Sequence, residues 1–573
     1  MRLSTVYDSL VSLMALTRRP LEAEKVHRRA LSFFDKLSKD DPCETEFQAQ
    51  LARWHYRLGN FCKDAKRLPD AEKEYRTAIS IFEGLIAEQD KEPAYHYNLA
   101  VASFYLGALL RESGRPKDAE EIYRKFVPGA EKLVAQSPEV ADYQSMLGGA
   151  LNDWAMLLLV RGEAAEAQHL LERAITHEKK AIVINPRVPT YQEYLHKHYG
   201  CLADALNKLR KPAEAEQAQR RKIAVLEGLV RDFKPNEPYR MELAATSHNL
   251  AHQLSSTGRA QQSVPDYESA VEQYRILAAH PNAPPEMHSK AGATLNDLAM
   301  RLMERKEHKK AEERLKEAVE HQQKALAAVP KNPTFRRFLL NHYANLADIA
   351  RQRGDHERVA RVAEEMCKAV PDWWFSYWRA ADLLPACSAL AARDQRLPED
   401  ARWALVQAYR KRWASLQQEA GKRDPDDLEA RDHIAWFLSN YAESSLRDPR
   451  LAVELARKTV EKAPKNASYQ QTLGVALCRI GKWSEAVQAL NESVELTKGG
   501  QCHDWLFLAM AHWHCDNETE AKKWYALTAK WMKDNGDKQK NQAVAGEIRR
   551  NLAEVAALME KGAKGKDQEP KNK

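Results

Sequence analysis

The sequence predicts an all-α solenoid of stacked antiparallel helix pairs, and three observations carry that prediction. The composition is that of a helical protein: Ala, Leu, Glu, Lys, Arg and Gln dominate, Gly is scarce at 22 residues, and β-branched runs are almost absent. At 573 residues the chain is too long for one ordinary core, which favours several domains or an array whose units touch only their neighbours. The chain also repeats itself. KRLPDAEKEYRTAI (Lys66–Ile79) returns as GRPKDAEEIYRKF (Gly114–Phe126), with Ala71 and Ala119 in register 48 residues apart.

The register persists. Steps of 48 from Ala23 reach Ala71, Ala119, Ala167, Ala215, Ser263, Ala311 and Val359, all small or β-branched. Thirteen residues before each anchor stand Leu10, Leu58, Leu106, Trp154, Leu202, Leu250, Leu298 and Leu346. One residue further on come Val11, Gly59, Gly107, Ala155, Ala203, Ala251, Ala299 and Ala347. A large apolar residue, a small one, then a small anchor is the tetratricopeptide (TPR) pattern, and it predicts a right-handed superhelix of helix pairs. The large residue fills a hole on helix A, and the small anchor on helix B lets the next helix approach.

Turns follow the same logic. Gly114, Gly162, Gly258 and Gly354 suit a left-handed helix end, and Pro69, Pro116 and Pro212 suit the first turn of helix B. An ordinary TPR spans about 34 residues. Pro42, Pro138, Pro186 and Pro330 fall 19 residues after their anchors, whereas Pro371 falls 12 after Val359. Each long unit therefore carries seven extra residues in helix B and, by difference, seven in helix A. Seven residues are nearly two turns, so the buried face is preserved.

The expected organisation is eight long units over 1–371, a Trp-rich helical junction over 372–426, and three ordinary TPRs over 427–535. Their anchors are Ala452, Ala486 and Ala521. A capping helix is expected over 536–560 and a disordered Lys-rich tail over 561–573. Trp373, Trp374, Trp378, Trp403 and Trp413 read as a hydrophobic joint between the two repeat types rather than as a ligand box.

Hydrophobic content of 44% excludes general disorder. A net charge of +7 over 169 charged residues (88 + 81) lacks the clustered footprint of a nucleic-acid binder, so none is expected as a partner. The amphipathic MRLSTVYDSLVSLMAL start is not a secretory h-region, and no window offers the ~18 apolar residues of a membrane span. Eight scattered cysteines fit reduced thiols in a cytoplasmic protein.

Candidate chemistry is sparse. Cys502, His503, His512, His514 and Cys515 are ligand types, but their spacing along one helix favours packing and surface roles over zinc. Pairs such as Asp40–Asp41 and Asp426–Asp427 read as turn formers and caps. No hydrolase or protease signature occurs, and no cofactor or catalytic residue is assigned. Binding has more to offer. The helix A positions flanking each large residue by two face the concave side of a TPR array. They place Tyr56, Asn60, Phe104, Asn152, Met156, Asp204, His248, His252, Asn296, Met300 and Asp348 in a groove for protein or peptide partners. The two-Lys, two-Asn and Arg clamp of chaperone-tail-binding TPRs is not matched, since Tyr56, Asn60, Phe104, Gly149 and Asp153 occupy those positions.

The long units, YWRAADLLPACSALAARDQRLP (Tyr377–Pro398) and LRDPRLAVELARKTVEKAPKNASYQQTLGVALCRIGKWSEAVQALNESVELTKGGQCHDWLFLAMAHW (Leu446–Trp513) resemble the TPR arrays of planctomycete-type bacterial Ser/Thr protein kinases. The resemblance implies a scaffold in bacterial signalling that recruits partners. The kinase itself is missing: there is no Gly-rich loop after a strand, VAIK-type Lys, HRD loop or DFG, so no phosphotransfer is implied. The expected function is a non-catalytic protein–protein interaction scaffold. The alternative is the regulatory TPR portion of a Ser/Thr protein kinase whose catalytic domain is missing or encoded upstream. Partner identity and oligomeric state are not fixed by these features.

Overall fold

The computed structural model describes residues 2–17, 19–88, 92–234, 236–423, 425–441, 444, 447–535 and 542–566. All their regular elements are helical. They belong to two compact units, Met1–His280 and Pro281–Lys573. Of the expected Lys-rich tail, residues 567–573 lie outside the described residues.

The first unit is a run of long helix pairs: Thr45–Asp64 with Leu68–Glu88, Pro93–Glu112 with Pro116–Gln136, Ala141–Arg161 with Ala164–Ile184, and Pro189–Lys208 with Pro212–Asp232. Arg2–Leu16 and Pro20–Asp40 precede them. Glu237–Ser256 follows, paired with a helix broken into a 3₁₀ turn, Ala260–Ser263, and Val264–Ala278. The second unit opens with Pro285–Glu304, His308–Ala328 and Pro333–Gln352, after which His356–Ala369 is short. Trp374–Ala381, Leu384–Arg393 and Glu399–Lys422 come next, then the pairs Leu428–Asn440 with Pro449–Lys462, Ala467–Arg479 with Trp483–Leu496, and Cys502–His514 with Glu518–Asn535. Gln542–Lys566 is the last helix.

These pairs form an all-α TPR solenoid. Helices of the long pairs have 20 or 21 residues, and those of the Ala467–Leu496 pair have 13 and 14. The difference is seven residues in each helix, the two turns that the proline positions require.

Close approach explains the small positions. A Cβ built on Gly59 would lie 2.6 Å from the Tyr75 ring, and one on Gly107 would lie 2.6 Å from the Tyr123 ring. Both tyrosines are fully buried and sit four residues after their anchors, Ala71 and Ala119. The ordinary repeats use the same device with Gly474 against Leu490. Any side chain here would push helix A off helix B.

The turn between A and B is equally regular. Lys66, Gly114, Gly162, Arg210, Gly258, Lys306 and Gly354 all have positive φ, between 58° and 88°, and recur every 48 residues. The N–H of the next residue then donates back to the carbonyl five residues earlier. Arg67 to Cys62 (2.8 Å), Arg115 to Leu110 (2.9 Å) and Glu307 to Leu302 (2.9 Å) are examples, and they make the Schellman closure. Gly481 and Asp516 hold the same place five residues before Ala486 and Ala521.

A second periodic contact ties successive units together. The carboxylate one residue after an anchor accepts from a base just after the left-handed residue of the following unit. Arg67 reaches Glu24 at 2.9 Å, Arg115 reaches Glu72 at 2.8 Å, and Arg259 reaches Glu216 at 2.6 Å. Lys211 holds the corresponding Gln168 at 3.4 Å. Where Glu163 replaces the base, Arg161 of the same turn takes Glu120 instead.

A left-handed conformation costs a non-glycine residue about 1–2 kcal/mol, against roughly 0.5–1 kcal/mol of extra chain entropy for Gly. Lys66→Gly, Arg210→Gly and Lys306→Gly are therefore each expected to stabilise their own helix pair by about 0.5 kcal/mol or more. Native-state hydrogen exchange of the flanking helices reads this locally. Faster exchange in the glycine variants would contradict the turn assignment.

Candidate functional site

The expected groove residues fall on the helix A segments of both units. In the first unit Tyr56, Asn60, Phe104, Met156 and His248 are half-buried, Asp204 and His252 are exposed, and Asn152 is buried. In the second unit Asn296, Met300 and Asp348 are half-buried. Several have their polar ends engaged by neighbouring repeat residues. Asn60 Oδ1 accepts from Tyr75 Oη at 2.6 Å. Asn296 Oδ1 takes Asn345 Nδ2 at 2.7 Å and faces His342 Nδ1 at 3.1 Å. Asp348 accepts from Arg351 and from Gln352 Nε2. Aromatic surface remains: Tyr56 and Tyr75 each stack on Tyr105, and Phe104 meets that ring edge-on.

A recess also lies within the second unit, where the repeat pattern gives no guidance. Trp378, Trp413, Trp436, Phe437 and Tyr441 line a cleft of about 610 Å³. All five rings are half-buried, so part of their apolar surface meets solvent. Trp413, Phe437 and Tyr441 contact one another with centroids 4.3–5.1 Å apart. The junction tryptophans divide by role. Trp374 is buried and donates to Asp426 Oδ1 at 2.6 Å, as a joint would, while Trp403 is 54% exposed. Trp403 walls an apolar trough of about 480 Å³ with Leu384, Pro385 and Val406, and the trough shares Trp413 and Tyr441 with the cleft. On the far side of Trp436 a polar recess of about 510 Å³ carries Glu429, Asp432, His433 and His503.

The Gln542–Lys566 helix supplies one wall. It reaches across the helix A segments of all three ordinary repeats rather than only the last. Asn440 is the hub: its amide donates to Glu547 Oε1 (2.5 Å), its Oδ1 accepts from Asn551 (2.9 Å), and its carbonyl accepts from Arg550 (2.8 Å). Arg479 pairs with Glu554 at 2.7 Å, His503 faces Glu547 at 3.1 Å, and Ile548 and Val555 are buried.

The Cys/His set near residue 510 is dispersed among such contacts. Cys502 is buried, which pushes its thiol up to about 12. His503 also packs edge-on against Trp436, His514 stacks on Trp483 at 4.0 Å, and Cys515 is exposed. Among the described residues no three His, Cys, Asp or Glu side chains come together as a metal site. No described helix is long and apolar enough to cross a membrane.

One buried cluster combines Ser, Glu and His. Ser145 Oγ donates to Glu178 Oε1 at 2.8 Å, and Glu178 Oε2 lies 3.4 Å from His198 Nε2. The hydroxyl is bound to the acid rather than to the imidazole, and all three side chains are enclosed, so no nucleophile is presented. Burial pushes Glu178 up to about 8 and His198 down to about 3, which keeps both neutral near pH 7. Three repeats later (144 residues) the same positions hold Ser289, Gln322 and His342, an amide in place of the acid.

No family model and no curated protein matches the chain. Among solved structures it is similar to BtubC (BKLC) from P. vanneervenii, with 18% identity and TM-score 0.34 over 47% of this chain and 94% of that one. It is also similar to the APC/C hetero-tetramer Cut9–Hcn1, with 12% identity and TM-score 0.25 over 85% of this chain and 88% of that one. A third is TTC0263, a thermophilic TPR protein of Thermus thermophilus, with 19% identity and TM-score 0.22 over 43% of this chain and 98% of that one.

The neutral acid gives a signed pH dependence. Between the ordinary 4.5 and about 8, Glu178 is protonated when folded and ionised when unfolded, so its contribution to stability falls as pH rises through that window. The contribution of His198, lowered from 6.5, rises in the lower part of the window. Glu178→Gln copies Gln322 and removes the loss. Its advantage over the parent is expected to grow from pH 5 to pH 8, to on the order of 3 kcal/mol, and to level off above. Denaturant melts across that range check this, and an advantage largest at pH 5 would reverse the assignment.

Proposed function

We propose that the chain is a non-catalytic scaffold that holds protein or peptide partners along the concave faces of its helix pairs. The observation that carries this reading is the aromatic cleft of the second unit. Five half-buried rings beside an apolar trough are more than an isolated surface hydrophobe, and such patches mark interaction sites. Aromatic residues also supply most binding hot spots, because they bury a large area at low entropy cost. In the first unit, Tyr56, Phe104 and Met156 offer a second apolar strip among polar groups already committed to the repeats. The remaining groove residues, Asn60, Asn152, Asp204, His248 and His252 there, and Asn296, Met300 and Asp348 in the second unit, complete the proposed surfaces. The likeness of Leu446–Trp513 to kinase-linked arrays supports a role in bacterial signalling in the cytoplasm.

Capture of partners by immobilised full chain tests the reading, with Tyr56→Ala and Phe104→Ala as probes. Both are expected to weaken capture about tenfold, roughly 1.4 kcal/mol, while the far-ultraviolet circular dichroism stays helical. Undiminished capture with a lowered melting temperature would assign these rings to the core instead.

A further inference from the structure

We infer that the aromatic cleft of the second unit recognises a basic side chain, Arg or Lys, of an extended peptide whose apolar residue two positions away enters the adjoining trough; this rests on the scaffold reading. The inference starts from Gln417. Its side chain lines the cleft, and the residue is only 6% exposed. An amide at the wall of a recess offers an incoming polar group both a donor and an acceptor. An apolar ligand would use neither.

Charge then selects the sign. Asp382 and Glu547 line the cleft, with Glu429 and Asp432 in the adjoining recess; among the described residues Arg550 is the sole Lys or Arg lining either, and Arg410 lines the trough. Arg550 already donates to the Asn440 carbonyl. Asp382 is exposed, and its ion pair is a distant one, with Arg379 at 3.9 Å.

The rings complete the case. Trp, Tyr and Phe faces carry negative quadrupole charge and attract a guanidinium or ammonium placed over them. A guanidinium can stack on an indole, donate to a carboxylate and still donate to an amide oxygen, because it has five donors in one plane. The unit already uses this pairing internally, where the Arg423 guanidinium sits 3.8 Å over the Tyr377 ring. The trough shares Trp413, Tyr441 and Pro385 with the cleft, so side chains two residues apart, on the same face of one extended peptide, reach both.

The test is a titration of the full chain with three fluorescein-labelled peptides of sequence Leu-Ala-X-Ala-Leu, where X is Arg, citrulline or Glu. Citrulline keeps the shape of Arg without its charge. The Arg peptide is expected to bind and quench tryptophan fluorescence, with the citrulline form at least tenfold weaker and the Glu form weaker still. Asp382→Asn, at an exposed position, should cost the Arg peptide about tenfold, and Gln417→Leu should cost it several-fold. Equal binding of Arg and citrulline, preference for Glu, or no binding of the Arg peptide at millimolar concentration each overturns the proposal. Partner capture that is lost in Tyr56→Ala but unchanged in Asp382→Asn would leave the scaffold reading standing and remove this pocket from it.

Discussion

The structure depends on how closely helix A can approach helix B. At Gly59 and Gly107 the approach is so tight that even a methyl group would meet a buried tyrosine ring. That contact sets the spacing within a pair, and repetition of it sets the spacing of the array. It also frees length as a variable. Adding two turns to both helices leaves the small-against-large contact in register, so a chain can lengthen its walls without redesigning its core. Side chains on helix A that do not face helix B are thereby left to line a surface.

Periodic polar contacts reinforce the same geometry. The Arg–carboxylate clips at Glu24, Glu72 and Glu216 join a helix B to the next turn, and their spacings, 48 and 144 residues, are multiples of the repeat that also sets the left-handed positions. Individually, part-exposed ion pairs contribute little. Repeated in register, they favour one stacking offset over slipped alternatives. Asn440, Arg479 and His503 do similar work in the second unit, each fixing the last helix against one of three repeats.

Much of this was legible in the amino-acid sequence, because close packing writes itself as small residues at fixed intervals. The anchors, the glycine turns and the seven-residue extension all followed from spacing. Lys66, Arg210 and Lys306 were not legible as left-handed residues, since the backbone bond that imposes the conformation leaves no mark on residue type. Asn60 and Asn296 sit at their predicted helix positions, yet their amides are engaged by Tyr75 and Asn345, partners supplied by packing rather than by the motif. The aromatic cleft was hidden for a different reason. Its rings come from Trp378, Trp413 and Trp436, on three helices outside one common repeat register, and Glu547 and Arg550 arrive from the end of the chain. Periodicity locates what repeats. It is silent about a recess formed where repetition is interrupted.

The central claim is that binding belongs to helix A surfaces and to the cleft, with helix B serving the stack. Hydrogen exchange of the full chain, with and without a captured partner, tests this directly. New protection is predicted in the segments around Trp378, Trp413 and Trp436 and in the helix A residues near Tyr56 and Phe104. Protection confined to helix B faces or to the left-handed turns, with those segments unchanged, would contradict it.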